Sequence, residues 1–203
     1  MKATIHGLVK ACRAPYTRDE QVFTTARITA TGLSHDLVVK LAGEHKLNVD
    51  DDVVIIVEDL ALIHGEAGGD GERGWKKYAY FFSEDPAFFG LVGGKGQLKD
   101  VREGRGFQSP KAFDLDRLYV QTVATGYLES RECEGKDGPF TAWSIRVADG
   151  SLSVSFDEGK EPKKKQKATV VASGLSIRNW TPKAGGAERF AIALRRATWV
   201  DAP

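Results

Sequence analysis

Cysteine, histidine and long apolar runs are all scarce in this chain of 203 residues. Its two cysteines, Cys12 and Cys133, make no disulfide framework. With four scattered histidines and no CxxC, HxxxH or HExxH spacing they make no metal site either. The expectation is two ordinary free thiols and no cofactor. No apolar run approaches the ~18–20 residues of a membrane span, and the opening MKATIHGLVKACRAP lacks the apolar block of a signal peptide. A cytoplasmic protein with no membrane partner is expected. Helical periodicity is nearly missing, which leaves no recognition helix for a duplex. Catalytic spacings are missing too: no GxxxxGK[ST], no serine elbow, no His–Asp or Cys–His arrangement. Gly93-Gly94-Lys95-Gly96 reads as linker and Asp50-Asp51-Asp52 as a turn. An enzyme is not expected.

Net charge is also nearly absent, at +1, but the total hides an asymmetry. Residues 1–100 carry 12 basic and 15 acidic side chains, a net of −3; residues 101–203 carry 17 and 13, a net of +4. Between Lys163 and Arg196 there are nine basic residues and one acid, Glu188. A local field of that size bears on polyanion binding more than the whole-chain charge does.

Apolar residues make up 41% of the chain, with 10 Phe, 5 Tyr and 4 Trp, which excludes a disordered chain and suffices for one or two domains. The pattern is mostly of period two, broken by Gly and Pro, and reads as short strands. Five fall early: Ala3–Ala11, Gln21–Ala30, Leu37–Leu41, Val53–Ile63 and Trp75–Phe82, with one helical turn expected over Gly43–Asn48. Residues 86–117 are glycine-rich and charged and read as a linker, although Phe88, Phe89 and Phe107 suggest that it packs on something. Strands then resume at Leu118–Leu128, Phe140–Ala148, Leu152–Phe156, Ala168–Leu175 and Glu188–Arg195.

The halves read as a degenerate repeat. Gly7 opens GLVKAC and Gly126 opens GYLESREC; a polar loop follows each; then FTTARITATG from Phe23 matches FTAWSIRVADG from Phe140. A short strand follows directly in both, LVVKL or LSVSF. The expected fold is all-β: two five-stranded Greek-key barrels in tandem, of the oligonucleotide/oligosaccharide-binding (OB) type, over residues 1–85 and 118–203.

The second half carries a more specific signature in Gly174–Phe190, GLSIRNWTPKAGGAERF. It resembles the hairpin between the fourth and fifth strands of bacterial single-stranded DNA-binding proteins. Gly174, Arg178, Trp180, Thr181, Gly185 or Gly186, Arg189 and Phe190 fit that pattern in order. Gly7–Val9 and Phe23–Ala30 resemble the family's first and second strands. The resemblance implies sequence-independent single-stranded DNA binding in replication, recombination or DNA transfer, with Trp180 stacking on bases. Two departures stand out. The chain ends TWVDAP, without the family's acidic tail closing in Pro-Phe, so recruitment of replication proteins by such a tail is not expected. Two barrels per chain imply a homodimer, or a monomer that mimics one family dimer, as in a phage, plasmid or otherwise specialised version.

Such a binder needs aromatic faces for bases and cations for phosphates. Trp180 stands between Arg178 and Lys183 in the basic hairpin. Trp75, with Lys77 beside it, is its first-half analogue. Alternation puts Trp75, Lys77 and Ala79 on one face and Tyr78, Tyr80 and Phe82 on the other, and the Tyr/Phe face reads as core. Trp143 alternates with Ile145 and so turns inward with it, leaving Arg146 outside. Arg27 on the equivalent strand, Tyr16 in the loop between Arg13 and Arg18, and the run Lys163, Lys164 and Lys165 complete the candidates. Trp199 reads as a packing anchor. The competing reading is an interaction or scaffold module on the same barrels without strong nucleic-acid affinity, which the first half's net −3 favours.

Overall fold

The computed structural model describes residues 1–67, 76–93, 97–101, 115–135, 138–148, 150–182 and 185–202. Every regular element among them is a strand. In the first half these are β1 (Lys2–Cys12), β2 (Tyr16–Arg18), β3 (Gln21–Thr29), β4 (Leu37–Ala42), β5 (Asp52–Val57), β6 (Ala61–Ala67), β7 (Lys76–Ser83), β8 (Phe88–Val92) and β9 (Leu98–Asp100). In the second they are β10 (Tyr119–Gly135), β11 (Gly138–Val147), β12 (Gly150–Phe156), β13 (Gln166–Trp180) and β14 (Arg189–Asp201). No helix of the described residues is long and apolar enough to cross a membrane.

The pairings close into two circuits. In the second half β10 pairs with β11, β11 with β12, β12 with β14 in parallel, β14 with β13, and β13 with β10 again. The first half repeats this order: β1, β3, β4, then β7 in parallel, then β6, with β5 returning to β1. Here the fourth member is interrupted at residues 58–60, between β5 and β6. The fifth is interrupted between β7 and β8, and β8 resumes pairing on β5. One carboxylate holds the two interruptions together: Asp59 accepts from the Ser83 hydroxyl at 2.6 Å and from the amides of Glu84 and Asp85.

The repeated glycines show why the order recurs. Leu8, after Gly7, faces Thr29, and Val9 faces Ile28; Tyr127, after Gly126, faces Arg146, and Leu128 faces Ile145. A side chain at Gly7 would come within 2.6 Å of the Thr29 carbonyl oxygen, and one at Gly126 would run into the Arg146 carbonyl. Both glycines let the first strand of a circuit cross its second strand at backbone distance.

The core is continuous through both halves, running from Ile5, Ile28, Leu37, Ile55 and Phe81 to Leu128, Ile145, Val170 and Leu194. Strand β1 pairs antiparallel with β10 from Lys2↔Val123 to His6↔Tyr119. The turn after β3 docks on β13, the Leu175 amide donating to the Gly32 carbonyl at 2.8 Å and the Ser34 amide to the Leu175 carbonyl at 2.9 Å.

The strand expected over Val53–Ile63 is broken at 58–60, and Tyr16, expected in a loop, lies on strand β2; three further local expectations change. The helical turn expected over Gly43–Asn48 is irregular chain. Gly43 sits at φ +94, and the Thr24 hydroxyl donates to its carbonyl and accepts from the His45 amide, supplying partners that a helix would have drawn from its own backbone. Within the stretch read as linker, 86–117, residues 88–92 and 98–100 are strands β8 and β9. Phe89 enters the main core, while Phe88, on the other face, packs with Val54, Ile56, Leu98 and Leu115 over the outside of β5. That cover buries β5 on both sides, which is why VVIIV reads as an unbroken apolar run. The third change, the faces of β7, bears on the site.

Candidate nucleic-acid interface

On β7 the buried residues are Phe81 and Ser83, and Tyr78, Tyr80 and Phe82 face outward, the reverse of the expectation. Parallel pairing sets Phe81 beside Leu37, and both are wholly buried. Phe81 supplies the ring the core needs, so the tyrosine hydroxyls turn to water.

Strand β13 leaves the core at its end. Ile177 is half-buried, and Arg178, Asn179 and Trp180 are exposed, Trp180 by 46%. Its partner β14 runs opposite as far as Trp180↔Arg189, so the two strands project as a hairpin. Gly185 and Gly186, at φ +80 and +119, let the chain turn back there. Lys183 lies outside the described residues, as does Trp75.

The hairpin walls a groove of about 640 Å³ over the outer face of β10, β11 and β12. Trp180, Arg178, Trp143 and Lys165 all line it, so four of the sequence candidates converge. Trp143 is half-buried, its ring edge-on to Phe156 at 6.0 Å, and it also borders the groove. Three further members escaped the sequence reading: Tyr127, Phe140 and Arg131. Tyr127 and Phe140 are 42% and 46% exposed. No described carboxylate pairs with Arg131, Lys165 or Arg178. Arg146 stands at the margin, 2.8 Å from Glu129 and over the Tyr127 ring at 6.0 Å. Lys163 and Lys164 are exposed nearby but do not line the groove.

A groove of about 700 Å³ occupies the matching place on the first half. It is lined by Tyr16, Tyr80 and Phe82 and by Arg13, Arg18, Arg27 and Lys40. The match is one of register: Arg27 faces Val38 here as Ser144 faces Ser153 in the other groove. Tyr16 is 40% exposed and leans on Phe23 at 6.0 Å. Arg27 and Lys10 share Asp36 at 3.7 and 3.4 Å, and Lys40 meets Glu84 at 2.7 Å while lying over the Phe23 ring at 3.9 Å. Among the described residues, the half with net charge −3 thus turns four cations and only one carboxylate, Glu84, into its groove. Tyr80, Phe82 and Lys40 were missed by the sequence reading, the first two because the faces of β7 were inverted. Each groove also contains one free thiol, Cys12 or Cys133.

Lys77 belongs to neither groove. Its ammonium lies 2.7 Å from Glu188 Oε2, and the Asn179 side-chain amide donates to Glu188 Oε1 at 2.7 Å. The hydrogen bond to Glu188 and its charge hold the Lys77 pKa above the ordinary lysine value; the bonds from Lys77 and Asn179 hold Glu188 below the ordinary carboxylate value. Beside this pair His64 stacks on Phe190 with ring centres 4.0 Å apart. These contacts fasten the β6–β7 hairpin of the first half to the β13–β14 hairpin of the second.

No family model matches the chain, and no curated protein matches it.

Proposed function

We propose that this protein binds single-stranded DNA without sequence preference, through two OB-type barrels in tandem, and protects exposed strands in replication, recombination or DNA transfer. The circuits favour the OB reading: first strand to second, third, fifth, fourth and back, with third and fifth parallel, is the strand order of that fold. The ladder between β1 and β10 supports a chain that mimics a dimer of single-barrel subunits, distantly related to the bacterial single-stranded DNA-binding proteins.

One observation carries the reading. Two grooves in matching register each combine three or more aromatic side chains with three or more cations. Aromatic faces accept any base, and cations along them accept the phosphates between bases, which gives affinity without sequence readout. A scaffold module has no need of that combination twice.

Titration with oligo-dT of about 35 nucleotides, followed by tryptophan fluorescence, tests it. Quenching is expected, and Trp180→Ala should weaken binding by about 1–3 kcal/mol, the worth of one stacked base. Replacing Arg178 and Lys165 together by Ala should flatten the plot of log affinity against log salt by about 1.4, at about 0.7 per phosphate contact. Absence of quenching and of any shift of labelled oligonucleotide would overturn the proposal in favour of a protein-binding scaffold.

A further inference from the structure

Between the two grooves lies a third depression, at the junction of the halves. Its walls are His35, Tyr78, Ala79, Ile177, Asn179 and Phe190, with the Lys77–Glu188 pair at its edge. It touches both grooves through shared elements. On one side Tyr78, Tyr80 and Phe82 follow one another along the outer face of β7, and the Tyr78 and Tyr80 rings stack 6.1 Å apart at 21°. Tyr80 and Phe82 already line the first groove. On the other side Asn179 lines the depression and the second groove alike, and Trp180 follows it directly.

We infer that one continuous single strand occupies both grooves and crosses between them over this junction, with Tyr78 as the stacking platform at the crossing. The inference rests on the proposed function and adds the path of the ligand. Tyr78 is 41% exposed although it sits mid-strand opposite Gly65. A side chain at Gly65 would come within 2.6 Å of the Tyr78 hydroxyl, so the bare backbone of β6 is what the ring lies across, leaving its other side to solvent. Two carboxylates flank the crossing, and Lys77 stands between them: with Asn179 it engages both oxygens of Glu188, and it lies opposite Glu66 on β6. An aromatic row leading out of one cationic groove toward the next, with Lys77 set between the two acids, suits a strand that passes through.

The test is a length series of oligo-dT, from about 8 to about 35 nucleotides, against the full chain, with stoichiometry read by mass photometry or native mass spectrometry. Short strands, about the site of one barrel, should bind two per chain; strands long enough to reach across should bind one per chain, and more tightly. Tyr78→Ala should weaken the long strands roughly 5- to 150-fold, the loss of one stacked base, and leave the short ones unchanged. Tyr78→Phe, which keeps the ring, should behave as the wild type. Two long strands per chain, or a Tyr78→Ala effect that is absent or equal at all lengths, would overturn the crossing while leaving single-strand binding intact. No binding at any length would remove both.

Discussion

Gly7 and Gly126 show how one residue type fixes the geometry of a whole groove. Each is the point where the first strand of a circuit passes over the second, and the residues lining each groove are counted from that crossing. Gly126→Ala drives a methyl group into the Arg146 carbonyl, with no flexible side chain to yield. A loss of about 1–3 kcal/mol is expected by urea denaturation, with a similar loss for Gly7→Ala. The glycines were legible in the sequence because they recur in a matching context. The outward side of β7 was not, because Tyr78-Ala-Tyr-Phe-Phe82 places aromatics on both faces, and alternation alone cannot say which ring the core takes. Only the neighbour decides, and Leu37 chose Phe81. Trp180 stood out early for the opposite reason: it lies beyond the point where apolar alternation stops, among residues with no core to fill.

At the scale of elements, the two circuits solve one problem in different ways. The second half uses long continuous strands, β13 and β14. The first half breaks both counterparts and pins the breaks with Asp59. Asp59→Ala should cost about 1.5–3 kcal/mol, since a charged acceptor is lost and the Ser83 hydroxyl is left buried without it. Thermal unfolding of that variant, with Ser83→Ala as partner in a double-mutant cycle, measures the shared part. Phe88→Ala should cost about 3–5 kcal/mol, because β8 carries core side chains on both faces, whereas a passive linker would tolerate the change. The strand character of 88–92 and 98–100 was hard to read because glycine and charge surround five apolar residues, and because β5, the partner of β8, lies more than thirty residues earlier. Local pattern shows that such a segment packs; it does not show on what.

At the scale of the molecule, the halves behave as one body with two hairpins locked side by side. The Lys77–Glu188 pair sets the pH range of that lock. Glu188 is depressed, so its contribution is present above the ordinary carboxylate pKa and is lost only as pH falls through the lowered value. Lys77 is raised, so its contribution is present below the ordinary lysine pKa and is lost only as pH rises through the raised value. The destabilisation caused by Lys77→Ala should therefore be constant between about pH 5 and 10 and should vanish in strong acid, as followed by denaturation at each pH.

The ladder between β1 and β10 has a consequence for any attempt to divide the protein. A strand edge with unpaired amides and carbonyls is a template for whatever chain arrives next. Each half has such an edge on its opening strand, and in the intact chain each edge is taken by the other half, from Lys2 to His6 and from Tyr119 to Val123. A fragment such as 118–203 made alone would leave β10 bare along that stretch and should pair with a second copy of itself or aggregate. Joining the halves in one polypeptide keeps the right partner always within reach, and so protects the chain against its own stickiness.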